Sequence, residues 1–200
     1  EKDLKNIIKE IRNDEIVGVN VTVPFKKLII PFLDKLDFAA EETQSVNTLF
    51  KINNKVIGYN TDSAGFWDSI KELYPKNKDT MILGSLKNKK IFILGAGGVT
   101  PSIISALKKE GANIILSNRT KEKAEELKKL FPELEIVEWG KKPPSCDIVI
   151  NTTSVGLKKN EDIEIDFSSY DKKTLFYDLI YNPKETVFLK KARLRGNKAI

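Results

Sequence analysis

The stretch KIFILGAGGVTPSIISALKKEGANIILSNRT, residues 90–120, decides the fold of this chain. It opens on a short apolar run at 91–94 and turns through the glycine-rich residues 95–98. A segment with apolar residues at helical spacing follows, and a second apolar run at 114–116 comes after it. This order of strand, glycine turn, helix and strand is typical of the βαβ unit that binds a dinucleotide at a helix N-terminus.

The glycine turn matches the dinucleotide fingerprint incompletely. Gly95 permits the tight turn, and Gly97 lets the backbone approach a pyrophosphate. The third glycine of the usual GxGxxG is replaced by Thr100. Glycines that only punctuate a turn are the alternative, but the flanking strand and helix patterns favour dinucleotide binding.

The end of the second strand indicates which dinucleotide is bound. An NAD site usually carries an acidic residue there, which holds the ribose 2′-hydroxyl. This chain has Asn118 and Arg119 instead, followed by Lys121 and Lys123, and these residues suit the 2′-phosphate of NADP. NADP is therefore the predicted cofactor, while a solvated helix start remains the alternative interpretation of these cations.

Composition excludes several classes of function. The 200 residues contain no histidine, which removes Ser-His triads and the commonest acid/base group, so proton chemistry must use Lys, Asp, Glu, Tyr or Cys. The net charge of +6 comes from scattered lysines without interleaved aromatic residues, so no nucleic-acid partner is predicted. No apolar run reaches the roughly 20 residues of a membrane span, and no metal site is predicted. The single cysteine, Cys146, excludes an internal disulfide, fits a reducing cytoplasm and is interpreted as a core residue.

The N-terminal part carries a second candidate site. A helical stripe at 4–11 precedes a β-branched strand at 16–23, and Pro24 ends that strand. Lys26 then falls in the first turn of a short predicted helix, where its charge faces the positive helix end. Polar residues that follow a strand in this way lie where open α/β sheets bind ligands. Functional and structural roles for Lys26 remain equally open on these grounds, and Asp62 is interpreted as a helix cap.

The remaining pattern predicts an α/β protein. A hairpin is predicted from strands at 45–52 and 55–60, and a polar loop at 75–89. Strands and helices alternate from residue 90 onward, which predicts a Rossmann-type doubly wound parallel sheet beside a smaller α/β catalytic domain. The expected domains are 1–61 for substrate binding and catalysis and 62–200 for NADP binding.

Several blocks, in order, resemble the shikimate dehydrogenase family over nearly the whole chain. They are GVNVTVPFK at 18–26, SVNT at 45–48, GYNTDSAG at 58–65, GAGG at 95–98, NRT at 118–120, NTTSVG at 151–156 and DLIYNPKETVFL at 178–189. The resemblance implies an oxidoreductase that uses NADPH to reduce 3-dehydroshikimate to shikimate, in the cytoplasmic route to chorismate and the aromatic amino acids.

The resemblance also implies roles for individual residues. Lys26 and Asp62 match the catalytic pair of the family, and the substrate-binding positions are matched by Thr22, Asn47, Asp62 and Tyr181. The cofactor-binding positions are matched by Gly95, Ala96, Gly97, Gly98, Val99, Asn118, Arg119, Thr120, Lys123, Thr153 and Leu179.

The chain departs from the family pattern at its ends and after the glycine turn. No strand with paired serines precedes Glu1, and the C-terminal glutamine of the family is absent, so the chain is interpreted as part of a longer enzyme. As it stands it is expected to bind NADP but to turn over poorly. Val99-Thr100-Pro101 also replaces the small residues that usually start the helix. An NAD-linked quinate/shikimate dehydrogenase and a non-catalytic nucleotide-binding paralogue are the alternatives, and monomer or homodimer is left open.

Overall fold

A computed structural model of the protein describes residues 2–73, 86–141 and 145–200. Its contacts divide the chain into two compact units, Glu1–Gly84 with Pro101–Ala106 and Ser85–Thr100 with Leu107–Ile200. Most of the predicted loop at 75–89 lies outside the described residues. Within the described residues no helix is both long and apolar enough to cross a membrane.

The first unit is a four-stranded mixed sheet with helices. Its elements are α1 (Lys2–Arg12), β1 (Gly18–Asn20), α2 (Phe25–Leu28), β2 (Lys35–Leu36), α3 (Phe38–Thr43), β3 (Thr48–Ile52), β4 (Lys55–Tyr59) and α4 (Asp62–Leu73). The strand order is β1-β3-β4-β2, with β2 parallel to β4 and the other pairs antiparallel. The predicted hairpin is confirmed as β3 and β4, and its two-residue turn places Asn53 and Asn54 at positive φ, which asparagine tolerates.

The core of the first unit forms on the predicted stripe of α1. Leu4, Ile8 and Ile11 are buried in one cluster with apolar residues of the sheet, among them Leu49 and Val56. Removing such side chains from water is the main favourable term in folding.

Two predicted elements of this unit are shorter than expected. The strand predicted at 16–23 is ordered as β1 only, and α2 ends after one turn, where a 3₁₀ turn at Ile30–Phe32 begins. Pro31 lies at the start of that turn and lacks the N–H that would continue α2. The pattern missed α3, although Asp37 caps it by accepting a hydrogen bond from Ala40 N at 2.8 Å.

The second unit confirms the Rossmann-type sheet. Its elements are β5 (Lys90–Leu94), β6 (Asn113–Ser117), α6 (Lys121–Leu130), β7 (Glu135–Ile136), β8 (Ile148–Asn151), β9 (Leu175–Asp178) and α7 (Val187–Leu194). Helix α5 (Thr100–Lys109) follows β5 in the chain, and its residues Pro101–Ala106 are grouped with the first unit. All neighbouring strands are parallel, in the order β7-β6-β5-β8-β9. The order reverses direction between β5 and β8, and such a switch point is where open α/β sheets bind ligands.

The contact-based division differs from the boundary expected after residue 61. Helix α4 belongs to the first unit, because it buries Phe66 and Ile70 and because Ser63 Oγ donates to Ser102 O at 2.9 Å. The assignment of catalysis to one domain and cofactor binding to the other stays a prediction.

Candidate functional site

The first unit contains a close pair of opposite charges. Lys26 Nζ donates to Asp62 Oδ2 at 2.6 Å, and the two side chains are only 13% and 21% exposed. Lys26 lies on α2, and Asp62 is the first residue of α4. From the sequence alone Asp62 is interpreted as a helix cap. In the structure both of its carboxylate oxygens accept hydrogen bonds from other side chains.

Asn47 is the second partner of that carboxylate. Its Nδ2 donates to Asp62 Oδ1 at 2.9 Å and to Thr61 Oγ1 at 2.9 Å. Its Oδ1 accepts from Thr61 N at 3.2 Å and from Thr48 Oγ1 at 3.0 Å. Three of the predicted site residues therefore form one connected array, Lys26–Asp62–Asn47.

The backbone fixes this array from several sides. Val46 N donates to Lys26 O at 2.9 Å, which ties α2 to the segment before β3. Asn47 N donates to Tyr59 O at 2.9 Å, so Asn47 is held beside the end of β4. Its position is thus set by regular sheet hydrogen bonding rather than by a mobile loop.

Asn60 supports the array and was missed at the sequence level. Its Oδ1 accepts from Asp62 N at 3.0 Å, an Asx turn at the entry to α4. Its Nδ2 lies within hydrogen-bond distance of Thr43 Oγ1 at 3.0 Å, Ser45 O at 2.8 Å and Ser102 Oγ at 2.9 Å. An asparagine two residues before an acidic helix start is the signal that could have identified it.

The other two predicted substrate residues are Thr22 and Tyr181. Thr22 accepts a hydrogen bond from Phe25 N at 2.8 Å through its backbone carbonyl, while its side chain is exposed. Tyr181 belongs to the second unit and is 90% exposed. Within the first unit the structure therefore brings Lys26, Asp62 and Asn47 together, and the side chain of Thr22 forms no hydrogen bond with them.

The array has the groups needed to move a proton near a hydroxylated ligand. Lys26 is the cationic donor, and the carboxylate of Asp62 orients it. Asn47 and Thr61 add amide and hydroxyl groups of the kind that bind alcohols. The chain contains no histidine, so the ammonium group of Lys26 is the group of this array that can protonate a carbonyl oxygen.

The glycine turn of the second unit is closely packed. Gly95 has φ +108°, and a Cβ at this position would lie 2.8 Å from Thr153 Cγ2 and 2.9 Å from Thr152 Oγ1. Both the positive φ and the close approach require glycine. A Cβ on Gly97 would meet only Thr152 O, at an ordinary 3.7 Å, so Gly97 is not required by protein packing.

Thr100 explains the missing third glycine of the fingerprint. It is fully buried, and its Oγ1 accepts from Gly97 N at 3.0 Å and lies 3.2 Å from Gly95 O and 2.9 Å from Thr152 Oγ1. The threonine thus closes the turn with its own hydroxyl. No side chain caps α5 at Val99, so the helix end lacks the internal acceptor that capping would supply.

The predicted 2′-phosphate residues have two different roles. Asn118 faces the turn, since its Oδ1 accepts from Ala96 N at 3.0 Å and its Nδ2 donates to Thr120 O at 2.7 Å. Arg119 and Lys123 are exposed, and their side chains make no hydrogen bond or ion pair with any described residue. The two cations are therefore available to an anion at the end of β6.

A cavity of about 300 Å³ lies beside the carboxyl ends of β5 and β6. Its walls include Phe92, Leu94, Ser117, Trp139, Lys141 and Ile165. Ser117 is 2% exposed, and its hydroxyl has no partner among the described residues. Glu164 and Asp166 also line it, so polar and apolar groups share the walls, and such a mixture suits a flat heterocycle with polar edges. This cavity could not be predicted from the sequence, because its walls come from segments far apart in the chain.

Two more of the predicted cofactor residues, Thr153 and Leu179, are held by Asn151. Thr153 donates to Asn151 Oδ1 from its N at 2.9 Å and from its Oγ1 at 2.7 Å. Leu179 N donates to Asn151 O at 3.1 Å. Thr153 and Leu179 thus lie at the carboxyl ends of neighbouring strands of the second sheet.

The family models and the sequence relatives point to one family. A family model described as the shikimate dehydrogenase substrate binding domain matches residues 1–49, and one described as shikimate/quinate 5-dehydrogenase matches residues 78–186. A shikimate dehydrogenase (NADP⁺) of Pelagibacter ubique is 51% identical over 195 residues, which cover 97% of this chain and 70% of that protein.

Solved structures agree with the sequence relatives. A shikimate dehydrogenase in complex with NADP⁺ superposes with a TM-score of 0.86 at 36% identity, covering 100% of this chain and 70% of the other. A shikimate 5-dehydrogenase from Thermus thermophilus in complex with NADP(H) and shikimate gives a TM-score of 0.83 at 29% identity, covering 100% and 71%. The chain thus spans about 70% of the length of these relatives.

Proposed function

Because this chain belongs to the shikimate dehydrogenase family, we propose that it reduces 3-dehydroshikimate reversibly to shikimate with NADPH, in the pathway to chorismate and the aromatic amino acids. The observation that carries the proposal is the Lys26–Asp62 pair at 2.6 Å, with Asn47 bonded to the same carboxylate. The relatives are named for this reaction.

The proton transfer in this proposal is assigned to Lys26. The bound nicotinamide supplies a hydride to the ketone carbon. The ammonium of Lys26 donates a proton to the ketone oxygen, which becomes the hydroxyl of shikimate, and the amine that is left regains a proton from solvent. Asp62 holds the lysine in place, and its carboxylate, with the side chains of Asn47 and Thr22, binds substrate hydroxyls. Tyr181 is also assigned to substrate binding.

NADP would be held by the second unit. The turn from Gly95 to Val99 and the uncapped start of α5 would receive the pyrophosphate. Arg119 and Lys123 would bind the 2′-phosphate, with Thr120 beside them, and Thr153 and Leu179 would lie along the nicotinamide half. The cavity lined in part by Trp139 suits the adenine ring in size.

The alternatives are less well supported by these residues. An NAD-linked quinate dehydrogenase would be expected to carry an acidic residue at the end of β6, where this chain has Asn118 and Arg119. A non-catalytic nucleotide-binding paralogue has no need of the Lys26–Asp62 pair. A cytoplasmic location is proposed from the single buried thiol, which fits a reducing compartment.

The test is shikimate oxidation followed by NADPH absorbance, with quinate and NAD as the competing substrate and cofactor. It is run on this chain and on the chain extended to the length of its relatives. We expect the extended chain to prefer shikimate with NADP, and this chain to bind NADP with weaker turnover. Absence of shikimate-dependent NADPH formation in both proteins would reject the proposal.

A further inference from the structure

A buried polar cluster at the carboxyl edge of the second sheet has no part in the function proposed so far. It consists of Asn151 at the end of β8, Asp178 at the end of β9, and Thr186 just before α7. These residues are 0%, 7% and 2% exposed. Asp178 forms no ion pair with a described residue, so its carboxyl group depends on hydrogen-bond donors.

Three donors converge on Asp178. Its Oδ1 accepts from Asn151 Nδ2 at 3.0 Å and from Ile180 N at 3.0 Å. Its Oδ2 accepts from the hydroxyl of Thr186 at 2.7 Å. Burial raises the pKa of Asp178 above its ordinary value, and the donors only partly offset that cost.

The cluster fixes three chain segments at once. Through Asn151 it holds both polar groups of Thr153, and Asn151 Nδ2 also donates to Val155 O at 3.2 Å. Through Ile180 N it sets the backbone next to Leu179. Through Thr186, whose Oγ1 accepts from Leu189 N at 3.3 Å, it fixes the start of α7.

We infer that Asp178, together with Asn151 and Thr186, is a positioning group for the nicotinamide half of the cofactor site. The three side chains are buried, so the cluster would act through its neighbours and not by contact with the ligand. It sets Thr153 and Leu179, the two residues that would lie along that half, so the inference rests on the proposed function. A cluster that only stabilised the edge of the sheet would affect all ligands of the unit equally.

Two ligands distinguish these possibilities by calorimetric titration. NADP spans the whole site, whereas 2′,5′-ADP carries the adenosine and the 2′-phosphate but no nicotinamide. Thr186→Val removes the hydroxyl that donates to Asp178. We expect it to weaken NADP binding by about 3- to 10-fold, as for one lost hydrogen bond, and to change 2′,5′-ADP binding by less than about 2-fold.

Thr174→Val is the matched control. Thr174 is also 2% exposed, and its Oγ1 donates to Cys146 O at 2.9 Å just before the start of β9, at the opposite edge of the same sheet. The same substitution there should lower the melting temperature in a similar way and leave the affinity for NADP unchanged. Thr186→Ser, which restores the hydroxyl, should recover NADP binding.

A second variant keeps the test decisive if Thr186→Val does not fold. Asp178→Asn preserves the volume but replaces the acceptor Oδ2 by a donor, and it should lower NADP affinity selectively in the same way. The inference would be overturned if a variant weakened the binding of both ligands equally, or if neither variant weakened the binding of NADP. Failure of the unsubstituted protein to bind either ligand would instead reject the proposed function and the inference with it.

Discussion

Replacing Lys26 by alanine tests the proposed proton transfer directly. The ammonium lies 2.6 Å from Asp62 and is 13% exposed, and the chain contains no histidine that could replace it. Loss of a positioned general acid lowers kcat by roughly 10²- to 10⁴-fold. That range corresponds to about 3–5 kcal/mol of lost transition-state stabilisation.

The substitution should have a smaller effect on folding. Asp62 is 21% exposed and keeps its hydrogen bond from Asn47, so its charge is not left fully buried and unpaired. We expect the free energy of unfolding to fall by about 1 kcal/mol or less. This is closer to the cost of breaking an exposed ion pair than to the cost of breaking a buried one.

The assay is steady-state kinetics of the extended chain, with NADP affinity measured separately. Lys27→Ala is the matched control, since Lys27 follows on the same helix and is exposed. It should leave kcat within about 2-fold of the unsubstituted enzyme. An increase in KM at unchanged kcat for Lys26→Ala would show that Lys26 binds substrate and that the proton comes from another group.

Three further predictions concern the second unit. Arg119→Ala should weaken NADP binding by about 10- to 100-fold and leave NAD nearly unchanged, because one charge-assisted contact to the 2′-phosphate is lost; equal losses would make Arg119 structural. Burial, with the nearby charge of Asp147, raises the pKa of the Cys146 thiol to about 12, so a thiol reagent at pH 8 should label it only after unfolding, and rapid labelling of the native protein would contradict its burial. Burial also raises the pKa of Asp178 above its ordinary 3.8, so the folded state binds this proton more tightly than the unfolded state. Between neutral pH and about pH 4 the stability of the protein relative to Asp178→Asn should therefore rise as the pH falls, and urea unfolding that shows a constant difference would refute this.

The local parts of the fold could be predicted from the sequence. In β5, α5 and β6 the spacing of the apolar residues and the glycine turn depend only on residues close together in the sequence. Each of these elements could therefore be predicted without knowledge of tertiary contacts. Helix α3 and strand β2 were missed because six-residue and two-residue elements carry too little periodic signal.

The candidate site was predictable only in part. Lys26 and Asp62 are 36 positions apart, and their pairing depends on sheet topology, so residue patterns alone left Lys26 undecided until the family resemblance was considered. Thr100 is a visible departure from the fingerprint, but the hydrogen bonds of its hydroxyl depend on how the turn folds in three dimensions. The Asp178 cluster joins the ends of two strands and a helix, and no single segment reveals it.

The closure of the glycine turn by Thr100 bears on how the cofactor is exchanged. A turn whose amide and carbonyl groups are already bonded to a buried threonine is ordered before any nucleotide arrives. Association then involves little loss of backbone entropy in this loop, which in flexible sites opposes binding. A dehydrogenase must release its spent dinucleotide in every catalytic cycle. Because the turn is already ordered, its contacts with the pyrophosphate contribute more fully to affinity and orientation, and turnover need not wait for a loop to refold around each new molecule.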